Sequence, residues 1–179
     1  MRIISGTLAR RKIVPPKNLD LRPTTDQAKE GLFNILNNRI YFDEQKVLDL
    51  FSGTGSISLE FISRGVMSVT AVENNFKHFK FINEIKQNLS LENLNVLKTD
   101  VFRFLEINKE PYSLIFADPP YNMPNLNELP KFVLQGNHLK DGGLFILEHS
   151  GVIDFSSYSS LKETRNYGKV HFSFFEKTL

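Results

Sequence analysis

Apolar positions along this chain change their spacing near residue 46, and the change separates two kinds of structure. Before it, Ile3-Ile4-Ser5 and Lys12-Ile13-Val14 flank Gly6 and a basic stretch, the pattern of a hairpin or two short strands, closed by Pro15-Pro16. Arg22-Pro23-Thr24-Thr25 then leads into a helix. Thr24 with Gln27 three residues on reads as a capping box, and Ala28, Leu32, Phe33, Ile35 and Leu36 follow at helical spacing. Gly31 interrupts that helix at a cost the local pattern does not explain.

From Lys46 onward strands and helices alternate. Residues 47–51 predict a first strand, then a glycine turn and a helix through Ile57, Leu59, Phe61 and Ile62. Residues 68–73 predict a second strand, followed by a helix marked by Phe76, Phe79, Ile82, Ile85 and Leu89. Residues 95–98 and 112–117 predict the third and fourth strands, with a short helix over 101–105 between them. A helix over 126–133 precedes a tight turn at Asp141-Gly142-Gly143, and residues 144–147 predict a fifth strand. The end differs: residues 164–167 and 170–175 surround Gly168 and read as an antiparallel pair. The alternation implies an α/β fold, a Rossmann-like, doubly wound, mostly parallel sheet with helices on both faces. The last pair adds an antiparallel edge, and a hairpin and helix extend the front. Two segments are expected, residues 1–45 and residues 46–179.

Composition excludes several chemistries. The chain has 179 residues, 41% hydrophobic and 23% charged, enough for one globular unit with a real core. The absence of cysteine removes disulfides, thiolate metal sites and cysteine nucleophiles. His78, His138, His149 and His171 are scattered without metal-ligand spacing, so no metal site is expected. No signal peptide is visible, and no run approaches the roughly 18 apolar residues of a membrane span. A soluble cytoplasmic protein is the expectation. Net charge is only +2, but residues 1–31 hold Arg2, Arg10, Arg11, Lys12, Lys17, Arg22 and Lys29 against Asp20, Asp26 and Glu30, a local +4 that leaves −2 for the rest. A basic front on a near-neutral body suits a polyanionic partner; a merely soluble face is the plainer alternative.

Asp118-Pro119-Pro120-Tyr121 carries the most chemistry. Two prolines end the apolar run 112–117 abruptly, because neither donates to a ladder and each fixes its φ. The Asp118 carboxylate, the Pro119 carbonyl and the Tyr121 ring are thereby presented together at the carboxyl end of a strand, where open α/β sheets bind ligands. Two acceptors beside a flat aromatic face suit an amino group on a planar base. A strand stop with a solvated Asp is the plain alternative.

Asp49-Leu50-Phe51-Ser52-Gly53-Thr54-Gly55 joins the first strand to its helix. Dinucleotide folds hold pyrophosphate at that place, but the third glycine position of the fingerprint is Ser58 here. Asp49 would repel pyrophosphate and attract an ammonium, such as that of S-adenosylmethionine. Glu73 and Asp100 end the second and third strands, one suited to ribose hydroxyls and the other to an adenine amine. Each acid alone reads equally as a helix cap; four on consecutive strands beside one glycine loop do not.

Together these features resemble class I S-adenosylmethionine-dependent methyltransferases, and more narrowly the RsmD family, which methylates N2 of a guanine in small-subunit ribosomal RNA. The resemblance rests on Arg2-Ile3-Ile4-Ser5-Gly6, Arg22-Pro23-Thr24-Thr25-Asp26, Glu30-Gly31-Leu32-Phe33-Asn34, the 49–55 loop and Asp118-Pro119-Pro120-Tyr121, and it spans nearly the whole chain. It implies a cofactor site of Asp49, Phe51, Gly53, Gly55, Glu73, Asp100 and Val101, with Asp118, Pro119 and Tyr121 at the guanine amine. It also implies an RNA-binding front carrying Arg2, Arg10, Arg11, Lys12 and Arg22, and ribosomal RNA or the small subunit as partner. The family often has a glycine among the basic residues of the front turn, where this chain has Ala9-Arg10-Arg11-Lys12. Three other readings remain open at this level: an adenine-N6 methyltransferase, a nicotinamide-dependent oxidoreductase, and a non-catalytic RNA-binding assembly factor.

Overall fold

A computed structural model describes residues 1–16, 19, 25–124 and 126–178. Its centre is a seven-stranded sheet. The strands are β1 (Lys46–Leu50), β2 (Ser68–Glu73), β3 (Leu94–Lys98), β4 (Tyr112–Ala117), β5 (Leu139–His149), β6 (Leu161–Tyr167) and β7 (Val170–Glu176). The helices are α1 (Asp26–Asn37), α2 (Ser56–Ser63), α3 (Phe76–Asn88), α4 (Val101–Ile107) and α5 (Leu129–Gln135). Strand order is β3-β2-β1-β4-β5-β7-β6. The first five strands pair in parallel, and β7 runs antiparallel to both β5 and β6. The chain moves outward from β1 through β2 to β3, then returns to place β4 on the other side of β1. That reversal opens a crevice at the carboxyl ends of β1 and β4.

Apolar residues fill the central strands on both faces. Val47, Leu114, Phe116 and Ile146 share one core with Ala28, Leu32 and Phe33 of α1 and with α2 and α3. Leu48, Leu50, Ile115, Ala117 and Leu147 face the other core with Val101 and Phe104 of α4 and Leu129 of α5. Two-sided burial is why these strands read as continuous apolar runs rather than as alternation. Ile3 of the front hairpin belongs to the first core, as Val47 and Val69 do. The hairpin itself is a single antiparallel bridge, Arg2 to Lys12, extended by two bonds between Met1 and Ile13.

Four expectations need revision. The observed α1 cap is Thr25, whose Oγ1 accepts the Ala28 N–H at 3.1 Å; Thr24 lies outside the described residues. The Asp141-Gly142-Gly143 turn does not separate a helix from a strand. It is an irregularity inside β5, where Tyr112 pairs with Leu139 but Leu114 pairs with Leu144. Gly142 sits there at φ +71°, and its N–H donates to the Lys177 carbonyl. The helix expected over 126–133 splits into a 3₁₀ turn over Leu126–Glu128 and α5. Finally, β6 begins three residues early at Leu161, as an edge strand rich in charge that resists stray pairing. Gly31 is also explained: a Cβ there would stand 2.2 Å from the Tyr167 ring, so α1 reaches β6 only through glycine.

Candidate active site

The glycine loop after β1 is built from unusual backbone. Phe51, Gly53 and Gly55 have φ of +59°, +55° and +76°. Left-handed dihedrals cost glycine little, but at Phe51 they mark strain of the kind that collects at functional sites. The Ser52 N–H donates to Val72, and the Gly55 N–H to Ser52 at 2.7 Å. Glu73, the last residue of β2, holds the loop from the side. Its Oε2 accepts the Gly53 N–H at 2.7 Å and its Oε1 the Asn75 N–H at 2.6 Å. A carboxylate has about four acceptor positions, so both oxygens can still receive ligand hydroxyls.

Asp100 follows β3 and caps α4, accepting the Phe102 and Arg103 N–H groups at 2.9 and 3.1 Å. Both bonds fall on Oδ1, which leaves Oδ2 for a ligand. The plain cap reading therefore holds at Asp100, without spending the whole carboxylate. Asp118 follows β4, and its N–H donates to Leu50 at 3.3 Å, which ties the proline corner to the end of β1. The corner closes as a turn through the Met123 N–H and the Pro120 carbonyl, 2.8 Å apart.

A cavity of about 740 Å³ lies between these elements on the sheet rim. Of the expected residues, Phe51, Gly53, Glu73, Asp100 and Val101 line it together with Asp118, Pro119 and Tyr121. Asp49 and Gly55 are not in the lining. Asp49 is buried behind the loop, where the Ser58 hydroxyl donates to it. Burial pushes the Asp49 carboxyl up to about 7, while bonds from the Ser58 side chain and backbone oppose the rise. Ser58 in place of a third glycine is thus the partner of that acid. A Cβ on Gly55 would stand 3.1 Å from the Ile82 side chain of α3, which leaves room there for glycine.

Asn74, Asn75, His78, Pro120 and Asn122 also line the cavity and were missed. Asn75 had a signal, since it caps α3 through Oδ1 just ahead of an apolar helix. Asn74 and Asn122 are loop residues outside any periodicity. His78 places Nδ1 3.9 Å from Glu73. Of the expected RNA-binding residues, Arg10, Arg11 and Lys12 are exposed on the hairpin. Arg10 has φ +66°, the left-handed turn position that glycine fills most easily. Arg2 instead pairs with α1, through Asp26 at 3.5 Å and Glu30 at 3.0 Å. Arg22 lies outside the described residues.

Known proteins resemble this chain over nearly its whole length. The family model described as "Conserved hypothetical protein 95" matches residues 1–176. Ribosomal RNA small subunit methyltransferase D of Buchnera aphidicola is 29% identical, over 98% of this chain and 91% of that protein. Its namesake from Escherichia coli is 28% identical, over 99% and 90%. The putative rRNA methyltransferase YlbH of Bacillus subtilis is 30% identical over 99% of both chains. Among solved structures, the putative methyltransferase yhhF from Escherichia coli superposes with a TM-score of 0.86 at 28% identity, over 99% of this chain and 98% of that one. A family match that begins in the hairpin and runs through β7, on a sheet with its cavity at the carboxyl rim, makes this chain a member of the RsmD family of methyltransferases.

Proposed function

We propose that the protein transfers the methyl group of S-adenosylmethionine to the exocyclic N2 of a guanine in small-subunit ribosomal RNA, in the cytoplasm. The observation that carries this reading is one cavity lined both by the glycine loop with its strand-end acids and by the Asp118 corner. The donor set fits the cofactor. Glu73 would accept ribose hydroxyls, Asp100 would accept from the adenine amine, and Gly53 would let the backbone approach the cofactor closely. When bound, the cofactor supplies an electrophilic methyl on a sulfonium.

The remaining work belongs to residues of this chain. A guanine amino nitrogen is a weak nucleophile because its lone pair is delocalised into the ring. Asp118 and the Pro119 carbonyl accept its two N–H bonds, which orients the lone pair and stabilises the positive charge that develops on nitrogen. The methylated nitrogen then loses a proton, and Asp118 accepts it. Tyr121 stacks on the extruded base. Stacking contributes about 1–3 kcal/mol, comparable with the few kcal/mol, roughly, needed to unstack the base. Arg10, Arg11 and Lys12 contact phosphates, which position RNA without reading its sequence.

The test is methyl transfer from labelled S-adenosylmethionine to small ribosomal subunits from a strain lacking this protein, with the product mapped by mass spectrometry. N2-methylguanine at one site is expected. N6-methyladenine, or no transfer to any RNA or subunit preparation, would overturn the proposal.

A further inference from the structure

The front hairpin is pinned to α2 by buried polar groups that the methyl-transfer reading does not use. Glu60 is fully buried; its Oε2 accepts the Ile4 N–H at 2.8 Å, and its Oε1 accepts the Ser5 N–H at 3.1 Å. One turn on, Ser63 donates to the Ser5 carbonyl and accepts the Leu8 N–H at 3.0 Å. A Cβ on Gly6 would fall 1.7 Å from the Ser63 carbonyl, so the hairpin backbone lies directly on the helix. Helix α2 begins at Ser56, immediately after the glycine loop.

A second connection crosses at Lys29 of α1. Its side chain is 1% exposed, and its Nζ donates to the Arg2 carbonyl at 2.6 Å and to the Ser56 hydroxyl at 3.1 Å. One ammonium thus bridges the first strand of the hairpin and the first residue after the glycine loop. Burial lowers the Lys29 pKa, and the Glu60 and Asp26 carboxylates work against that fall. Thr54, inside the loop, contacts the Met1 sulfur at 3.6 Å. Lifting the hairpin off α2 would expose Lys29 and break its bridge to the loop. Local opening of a folded chain occurs in contiguous cooperative units.

We infer that Lys29 is a positioning residue that latches the basic hairpin to the donor loop, so that a bound donor holds the RNA-contacting residues in place. The inference rests on the proposed reading of the loop as the donor site. A ligand that binds only the closed unit suppresses every opening that includes its site by the factor 1 + [L]/Kd. If the hairpin opens with the loop, its amides gain the protection that the loop amides gain.

Residue-resolved hydrogen exchange of the full chain, with and without S-adenosylhomocysteine, tests this. With the ligand at about ten times its Kd, exchange at the Ile4, Ser5 and Leu8 amides should slow about tenfold, in step with residues 53–56. In Ser56→Ala the loop should still respond and the hairpin should lose most of its response, while Ser56→Thr, which keeps the hydroxyl, should restore it. Lys29→Met should uncouple the two in the same way; if that variant fails to fold, the Ser56 pair decides. Loop protection without hairpin protection in the wild-type protein would overturn the latch and leave the methyltransferase reading standing. So would a Ser56→Ala hairpin that responds like wild type. No protection anywhere, with no measurable binding, would sink the donor-site reading and the latch with it.

Discussion

In the glycine loop, left-handed dihedrals fall on Gly53 and Gly55, and only Phe51 carries a side chain through that region. In the hairpin the same backbone region is occupied by Arg10. The loop sits in a frame of bonds from Glu73, Ser52 and Val72. The hairpin exposes Arg10, Arg11 and Lys12 and takes its order from Glu60, Ser63 and Lys29 beneath it. A small donor needs a pre-shaped backbone, because its affinity depends on a few directed bonds. A polyanion needs charge on a platform, because phosphate attraction is long-ranged and tolerant of geometry. One region is therefore sensitive to single atoms, and the other to net charge.

The sharpest way to break that contrast is at Asp118. Asp118→Ala should lower kcat by about 10²–10³-fold, as loss of a transition-state hydrogen-bonding group does. Its affinity for S-adenosylhomocysteine should stay nearly unchanged; normal turnover would remove Asp118 from the reaction. Next comes pH. Asp49 has a folded-state pKa of about 7, raised from 3.8, so the folded protein holds this proton more tightly than the unfolded chain does. Its contribution is present in full below the unfolded value and is lost as pH rises to about 7, by up to about 1.4 kcal/mol per pH unit. Urea unfolding across that window should show Asp49→Asn losing less stability than wild type. Parallel curves would mean that Asp49 is ionised in the fold.

Glu73→Ala removes the acceptor for both the Gly53 and the Asn75 N–H, and with it a charged group facing the ligand. Calorimetry with S-adenosylhomocysteine should record a loss of about 1.5–3 kcal/mol, the usual range for a hydrogen bond to a charged group. Charge reversal at Arg10 and Arg11 should leave that affinity intact. It should raise the KM for small subunits and reduce the log–log salt slope by roughly 0.7 for each phosphate that is no longer neutralised. The smallest effect is expected from Arg10→Gly. Relief of a left-handed side chain should stabilise the fold by about 1 kcal/mol, even as RNA binding weakens. A variant that gains stability without losing RNA affinity would assign Arg10 a purely local role.

The strand ladder was legible because buried central strands are dense in apolar residues and end at polar or proline punctuation; β2 and β4 fall where the pattern put them. The β5 irregularity was not, because Asp-Gly-Gly looks alike in a turn and in a bulge. Pairing with β4 and with Lys177 decides between them, and neither partner is local. The capping-box pattern points to Thr24, one residue early, because its neighbour Thr25 carries the same hydroxyl and it is Thr25 that accepts the Ala28 N–H. At the site, strand-end acids beside a glycine loop and the double-proline corner marked most of the cavity wall. The retreat of Asp49 to Ser58 follows from side-chain burial, and the commitment of Arg2 to Asp26 and Glu30 from where α1 packs. Periodicity carries neither.

β7 follows β6 in the sequence yet lies inside it, between β5 and β6. During vectorial synthesis the slot beside β5 stays vacant until residues beyond 170 leave the ribosome. α1 also waits, since its Gly31 meets Tyr167, and Arg39 just after it pairs with Glu163 and stacks over Phe174. The earliest-made helix and the latest-made strands thus close one another, a long-range dependence that slows folding. A nascent chain stalled before β7 would hold an open sheet edge and an uncovered helix, the form that chaperones capture.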